Sequence, residues 1–265
     1  MKTPVTMLIT IAWRNLWRNH RRSLIMLTAI AIGLWGMIWM TALMRGMVDQ
    51  MIDSSIRTLS GHIQIHAEGF LDDPSIEHSL PPATDNPALL ALLESPHVTH
   101  WSERIRVPAV IRSERDVLGV TLVGINPQQE SGLSFIADSV TEGEYLEDAH
   151  DSHILVGRKL LERLETKPGR RIVLMSQDPD NNIAERGFRI GGIFDTELQA
   201  TETSYVFTGI ETARAMLKMG SGVSEISLLG PDYRNLDALA ADVRTAAGKA
   251  DTRTWLELDT YMASM

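Results

Sequence analysis

The longest uncharged apolar run in the chain covers residues 23–44, which read SLIMLTAIAIGLWGMIWMTALM. As an α-helix with a rise of 1.5 Å per residue, this run extends about 33 Å, and the hydrocarbon core of a bilayer is about 30 Å thick. A buried helix of a globular protein is the alternative, but such a helix is seldom so long and so free of charge. The pattern predicts a transmembrane helix at residues 23–45, continued outside the membrane by a stalk helix at residues 46–60.

The charges beside this run predict its orientation. Arg14, Arg18, Arg21 and Arg22 precede it, whereas only Arg45 follows it closely. Because basic side chains accumulate on the cytoplasmic side of a membrane, we expect a cytoplasmic N-terminus and a main domain that is periplasmic or extracellular. A cleaved signal peptide is the competing interpretation, but its apolar region is normally about 7–15 residues long. The sequence therefore favours an uncleaved helix in the cell inner, or plasma, membrane.

The segment before the apolar run predicts a cytoplasmic amphipathic helix within residues 1–22. Leu8, Ile11, Ala12 and Leu16 fall near helical spacing, and the arginines lie on another side. A basic amphipathic helix of this kind is expected to lie on an anionic membrane surface. Docking to a cytoplasmic protein is the alternative.

Small residues inside the run, and apolar residues after it, suggest where the helix makes its contacts. A strip of small side chains lets a second helix approach closely, and this strip consists of Ala29, Gly33 and Gly36. Beyond the membrane, Met47 and Met51 continue the helical spacing as far as Leu59. We expect the strip to pack against a partner helix and the two methionines to lie on the stalk that couples membrane and exterior.

The first segment after the stalk alternates as a strand does. In residues 62–67, Ile63 and Ile65 point to one side, and His62, Gln64 and His66 point to the other. This pattern predicts a half-buried strand whose polar face is solvated. His62 and His66 would stand about 13 Å apart on a strand, which is too far for them to share one metal ion.

The remainder predicts a mixed α+β body at residues 61–258 with two lobes, the inserted lobe lying roughly at 125–195. Short strands alternate with short helices, and turns are expected at residues 113–116 and 178–182. The stretches 87–111 and 233–255 both read as a helix followed by a strand, which suggests duplicated β-α-β units.

Composition and charge narrow the functional classes. Cysteine is absent, so thiol catalysis, disulfide scaffolds and zinc fingers are excluded. The net charge is −9, yet six basic and no acidic side chains lie in residues 1–45, so the rest of the chain carries −15. An acidic body of this kind argues against nucleic acid as a partner.

Sequence motifs of catalysis are also missing. There is no phosphate-binding loop, no nucleophile elbow, no zinc-protease motif and no dinucleotide fingerprint. Residues 147–153 combine acids with histidines, and residues 178–182 have some likeness to a calcium loop, but a solvated loop and a hairpin tip explain them better. We predict no catalytic, cofactor-binding or metal-binding residue, and a membrane-anchored enzyme is the least favoured class.

Five motifs, taken in order, resemble those of one family, the FtsX-like permeases of ABC transporters, and most closely its lipoprotein-releasing and MacB-like type. One of them, the "G-hydrophobic-D-P-x-x-E" motif, has asparagine here in place of the usual aspartate. The motifs are Ala12-Trp13-Arg14-Asn15-Leu16, Gly61-His62-Ile63-Gln64-Ile65, Val123-Gly124-Ile125-Asn126-Pro127 with Glu130, Ile154-Leu155-Val156-Gly157 with Leu160, Leu164 and Gly169, and Gly192-Ile193-Phe194.

The resemblance implies a four-helix permease with a MacB-like periplasmic core domain between its first two membrane helices. It implies a homo- or heterodimer that works with a separate cytoplasmic ABC ATPase. Such permeases use ATP hydrolysis to move the outer domain, which acts on a lipoprotein or a periplasmic partner. ATPase activity is expected only in the partner subunit.

The chain stops at Met265, where residues 259–265 are expected to approach a second membrane helix. We expect a truncated chain or gene fragment, with three helices missing. The alternative is a single-span, membrane-anchored binding or sensor module without transport activity.

Overall fold

The computed structural model describes residues 4–196 and 198–258, and it divides the chain into two compact units, Met1–Asp53 and Ser54–Met265. The first unit is helical. Helix α1 spans Pro4–Arg18, and helix α2 begins at His20 and ends at Ser55, beyond the unit boundary. Within the described residues, one helical stretch, at residues 20–60, is long and apolar enough to cross a membrane, with a mean hydropathy of 1.9 over its best window.

Thr28 and Thr41, which lie inside the apolar run of α2, are compatible with an apolar surrounding. Thr28 Oγ1 donates a hydrogen bond to the carbonyl of Leu24 at 2.9 Å, and Thr41 Oγ1 donates to the carbonyl of Met37 at 2.8 Å. A hydroxyl that bonds to its own helix needs no water as a partner, so these threonines do not oppose membrane insertion.

The predicted stalk helix is too long by five residues. The α-helix ends at Ser55, and the π-helical turn Ile56–Ser60 follows, in which Thr58 and Leu59 leave helical geometry. We call Ile56–Ser60 the anchor turn. Its cause is contacts with distant parts of the chain, and for that reason the local spacing does not reveal it.

The second unit contains one ten-stranded sheet in the order β10-β1-β9-β2-β3-β8-β5-β7-β4, with β6 between β2 and β7. The strands are β1 Ile63–His66, β2 His100–Arg112, β3 Val117–Ile125, β4 Val140–Gly143, β5 His153–Gly157, β6 Arg171–Gln177, β7 Ile183–Phe194, β8 Tyr205–Gly209, β9 Glu225–Leu229 and β10 Asp251–Thr254. The helices are α3 Pro87–Leu93, α4 Pro127–Glu130, α5 Ile136–Ser139, α6 Arg158–Arg163, α7 Gln199–Ser204, α8 Ile210–Leu217, α9 Asp237–Ala247 and α10 Trp255–Leu258. This mixture of helix and sheet confirms the α+β class.

The first and last strands build a β-α-β-β-α-β unit. Strands β1 and β2 with α3, and β9 and β10 with α9, pair in the order β10-β1-β9-β2 with all neighbours antiparallel. This is the split β-α-β, or ferredoxin-like, arrangement, and the two helix–strand stretches expected from the sequence are its two halves. Strands β3 to β8 lie between β2 and β9 in the chain.

The two predicted turns are confirmed, and the start of α3 has a local cause. Asn86 caps α3, because its side chain accepts a hydrogen bond from the Leu89 amide at 3.2 Å. Antiparallel pairing places residues 113–116 at the turn between β2 and β3, and residues 178–182 at the turn between β6 and β7.

The solvated face predicted for β1 is wrong. Gln64 and His66 are 3% and 0% exposed. Their cross-strand neighbours on β9 are Ser227 and Glu225, which are also buried. The sheet therefore has a buried polar face, because segments distant in sequence cover it. Side chains of this face form part of the candidate functional site.

Candidate functional site: the buried cluster at the anchor turn

The anchor turn places a leucine in a backbone conformation that leucine rarely adopts. Leu59 has φ 74° and ψ −10°, in the left-handed region, where its Cβ crowds the backbone. The turn is closed by the Gly61 amide, which donates to the Ile56 carbonyl at 2.8 Å, and by Thr58 Oγ1, which donates to the Ser54 carbonyl at 2.6 Å. The anchor turn ends at Ser60, and β1 begins at Ile63.

The Leu59 side chain fills the hydrophobic core of the second unit. It is 2% exposed and belongs to one packed cluster of side chains from β3, α5, β5, β7, β8 and the loop between β4 and β5. The other members are Val123, Ile125, Ile136, Leu146, Leu155, Phe194 and Phe207. Leu59 is therefore both a residue of the anchor turn and a core residue of the second unit.

The Leu59 carbonyl is held by two side-chain donors. Arg104 donates to it through Nη1 at 2.6 Å, and Gln64 donates through Nε2 at 2.8 Å. Both donors come from the polar face of the sheet, Gln64 from β1 and Arg104 from β2. Two convergent donors on one carbonyl fix the plane of that peptide group, and with it the conformation of the turn.

Arg104 has no exposed surface, and two carboxylates balance its charge. Glu130 accepts from Nε and Nη2 of Arg104 at 2.7–3.2 Å, and Glu225 accepts from Nη1 at 2.9 Å. Ser227 Oγ lies 3.0 Å from the same Nη1. Arg106 is a second cation beside Glu225, with its Nη1 at 3.5 Å from Oε2.

The charges of Arg104 and Glu225 persist at neutral pH. Burial opposes the charged form of Arg104, but Glu130 and Glu225 outweigh it and raise the Arg104 pKa above its ordinary value. Burial likewise opposes ionised Glu225, but Arg106 and Arg104 lower its pKa. Because buried ion pairs repay little of their desolvation cost, we attribute to this cluster a role in fixing geometry, not in adding stability.

His66 orients Gln64. His66 Nε2 lies 2.9 Å from Gln64 Oε1, so the amide nitrogen of Gln64 is turned towards Leu59. The imidazole stacks on Phe70 with 5.0 Å between ring centroids and an interplanar angle of 9°. Burial lowers the pKa of His66, with Glu225 acting in the opposite direction, and this favours the neutral ring.

The beginning and the end of the body lie side by side. The Trp255 amide donates to the His62 carbonyl at 3.0 Å, and Ile63 pairs with Thr254 across β1 and β10. The chain therefore leaves its last strand next to the place where it leaves the anchor turn.

The structure explains one family-like motif and reveals a partner that sequence reasoning missed. Asn126 caps α4, since its Oδ1 accepts from the Gln128 amide at 3.2 Å, and α4 ends at Glu130. Glu130 thereby reaches Arg104, which lies 26 residues upstream and was not among the predicted site residues. The one sequence feature that could have indicated Arg104 is its charge within a segment whose apolar spacing is typical of a strand.

The predicted site residues all lie in the first unit, and none of them belongs to the buried cluster. Each of them is exposed along α1 or α2, and a side chain added at Gly33 or Gly36 would meet nothing within 4 Å. Their roles in helix packing, orientation and coupling stay predictions. They are Arg14, Arg18, Arg21, Arg22, Ala29, Gly33, Gly36, Met47 and Met51.

The candidate metal segments form no metal site among the described residues, which contain no suitable group of three or more His, Cys, Asp or Glu side chains. In segment 147–153, His153 Nδ1 lies 2.8 Å from Asp151 Oδ1. At the hairpin tip, Asp178 accepts from the amides of Asp180 and Asn182 and from Lys218 Nζ.

The described residues thus combine one helix that is long and apolar enough to cross a membrane with a second unit built around a split β-α-β arrangement. The family described as MacB-like periplasmic core domain matches residues 23–246, and the chain belongs to this family. The resemblance to MacB-like ABC permeases found in the sequence is thereby confirmed. Members of this class are permease components of ABC transporters, reside in the inner membrane with a periplasmic domain, and are not themselves enzymes.

Individual relatives agree with this family. The lipoprotein-releasing system transmembrane protein LolC of Neisseria meningitidis serogroup B is 23% identical over 229 residues, which cover 83% of this chain and 52% of LolC. The chain thus spans about half the length of this curated relative.

Two solved structures share the fold. The periplasmic region of MacB from Actinobacillus actinomycetemcomitans matches with a TM-score of 0.53 and 14% identity, over 81% of this chain and 99% of that one. The extracellular domain of the noncanonic ABC-type transporter YknZ from Gram-positive bacteria matches with a TM-score of 0.50 and 12% identity, over 72% and 98% of the two chains.

Proposed function

We propose that this chain is the N-terminal part of a permease subunit in which ATP hydrolysis by a separate cytoplasmic ATPase moves the periplasmic body. The observation that carries the proposal is the attachment of Leu59. The peptide that follows the apolar helix is fixed by its carbonyl to Arg104 and by its side chain to the core. A covalent chain held in this way can transmit displacement into the body.

The proposed topology follows from charge and from the arrangement of the chain ends. Residues 1–22 are cytoplasmic, with α1 on the membrane surface, residues 23–45 span the membrane, and residues 61–258 are periplasmic. The contact between His62 and Trp255 supports this arrangement, since a domain inserted between two membrane helices needs neighbouring chain ends. Residues 259–265, which lie outside the described residues, would then approach a second membrane helix.

The proposed partners are a cytoplasmic ABC ATPase, a second permease subunit in a homo- or heterodimer, and a lipoprotein or other periplasmic protein as cargo. LolC, to which the chain is similar, is named for lipoprotein release. From this similarity we propose that the cargo of this chain is also a lipoprotein. The small strip formed by Ala29, Gly33 and Gly36 is proposed to face the second subunit or a further helix.

The test uses proline in the segment between membrane and body. Met47→Pro combined with Met51→Pro removes two backbone donors from α2 and breaks the helix, whereas Met47→Ala with Met51→Ala keeps it. The full assembly is reconstituted in proteoliposomes that hold a fluorescent triacylated lipoprotein, and ATP hydrolysis and lipoprotein release are both measured.

We expect the proline variant to hydrolyse ATP and to release no lipoprotein, and the alanine variant to do both. Unchanged release in the proline variant would show that α2 does not couple the two processes. If no ATPase co-purifies with the unaltered chain, the single-span sensor module becomes the better interpretation.

A further inference from the structure

The anchor turn is imposed by the body and is not encoded by its own residues. Met47, Met51 and Leu59 continue one helical spacing, which predicts helix as far as residue 60. The α-helix nevertheless stops at Ser55, and Leu59 takes a left-handed conformation that is unfavourable for a residue with a Cβ. Contacts outside the segment must therefore hold the turn in place.

The groups that hold the turn do not need it for their own charge balance. Arg104 is already neutralised by Glu130 and Glu225, and the Leu59 carbonyl adds a neutral acceptor to this ion cluster. The Arg104–Leu59 contact, at 2.6 Å, is nonetheless shorter than every contact between Arg104 and a carboxylate. The charge balance of the cluster therefore does not depend on the turn, which is a property expected of a latch.

We propose that Arg104 and Gln64 form a latch that holds residues 56–60 as a turn, and that these residues change between turn and helix when the transporter works. The proposal rests on the proposed function and adds its movable element. In the released state, the five residues of the turn would extend α2 by about 7 Å, at 1.5 Å per residue. The attached state is the one in this structure.

Gln64 is the residue at which the latch can be tested without damage to the ion cluster. Removing Arg104 would leave the buried Glu130 without its cation and the buried Glu225 with Arg106 alone, so a general loss of stability would mask any effect on the turn. Gln64→Met keeps the length of the side chain and removes its donor to Leu59. Ser227→Ala is the matched control, because Ser227 touches the same Nη1 of Arg104 but makes no hydrogen bond with Leu59.

The first measurement is amide hydrogen exchange of the full chain in lipid nanodiscs, read on peptides that cover residues 54–62. The Gly61 amide reports the turn directly, since it donates to the Ile56 carbonyl. We expect Gln64→Met to accelerate exchange there by about tenfold or more, with β2 and β3 unchanged and Ser227→Ala like the unaltered chain. Unchanged exchange in Gln64→Met, or equal acceleration in both variants, would overturn the latch.

The second measurement is lipoprotein released per ATP hydrolysed, in the reconstituted assembly described above. We expect loss of release with retained hydrolysis in Gln64→Met, and normal coupling in Ser227→Ala. Normal coupling in Gln64→Met, despite faster exchange, would overturn the switch while leaving the permease proposal intact. Failure of the unaltered assembly to release lipoprotein would instead refute the proposed function, and hydrogen exchange alone would then decide whether the turn is latched.

Discussion

Arg104 and Glu130 form a two-pronged ion pair in which neither side chain has any exposed surface. Nη2 and Nε of Arg104 donate to the Glu130 carboxylate at 2.7–3.2 Å. The pair joins β2 to the end of α4, and through the third contact of Arg104 it also joins both to Leu59. One guanidinium group therefore fixes a short helix, a sheet and the Leu59 carbonyl of the anchor turn.

We expect Arg104→Met to destabilise the chain strongly. Without the guanidinium, Glu130 and Glu225 stay buried with no cation in the Arg104 position, and breaking such a pair costs about 3–5 kcal/mol. Thermal unfolding of the full chain in detergent, followed by tryptophan fluorescence, measures the loss. The control is Arg115→Met, which removes an exposed pair with Glu165 and is expected to lower the melting temperature far less. Equal losses in the two variants would contradict a special role for the buried pair.

A second prediction concerns Gly124, from the family-like motif that also contains Glu130. A Cβ at Gly124 would lie 2.7 Å from the Cβ of Ala213 on α8, so Gly124→Ala is expected to cost about 1–3 kcal/mol through overpacking. Ala213→Gly opens the space and should recover part of the loss when the two changes are combined. Gly119 on the same strand has nothing within 4 Å of an added Cβ, and Gly119→Ala should leave the melting temperature nearly unchanged.

Strand β1 and the anchor turn show which structural features the local sequence could predict and which it could not. Alternation in residues 62–67 predicted the strand correctly, because period-two spacing follows from the geometry of a strand itself. It placed Gln64 and His66 in solvent, because no local signal shows that a distant segment covers the second face of a sheet. Their burial depends on Phe70 and Glu225, the latter about 160 residues away in the chain.

Leu59 illustrates the same limit within a helix. Its spacing after Met47 and Met51 predicts a helical residue, and local propensity contains nothing that opposes this. The left-handed conformation results from contacts with Arg104 and Gln64 and from burial in the core. Glu130 was singled out by its motif, but Arg104 was not, because a charge that faces a buried cluster looks the same in sequence as one that faces water.

A third prediction separates strain from packing at Leu59. Leu59→Ala removes a buried side chain, which should cost about 2–5 kcal/mol, and keeps a Cβ at φ 74°. Leu59→Gly removes the same packing but tolerates the left-handed conformation. Glycine inside regular structure is usually less stable than alanine by about 1 kcal/mol. Here we expect the reverse order of melting temperatures, and alanine above glycine would show that the backbone at Leu59 is not strained.

The last prediction concerns pH and His66. Glu225 on β9, Asp251 on β10 and Arg106 are the charged groups that act on this histidine, and burial lowers its pKa from the ordinary 6.5. The unfolded chain therefore binds a proton at a higher pH than the folded chain. The contribution of His66 to stability is complete above about pH 6.5 and declines as the pH falls towards the lower folded pKa.

His66→Phe keeps the stack on Phe70 and cannot titrate, so its melting temperature should fall less between pH 7.5 and pH 5.5 than that of the unaltered chain. His97, which is exposed, provides the control: His97→Asn should keep the slope of the unaltered chain, and a His66→Phe slope equal to it would show that His66 does not titrate in this range.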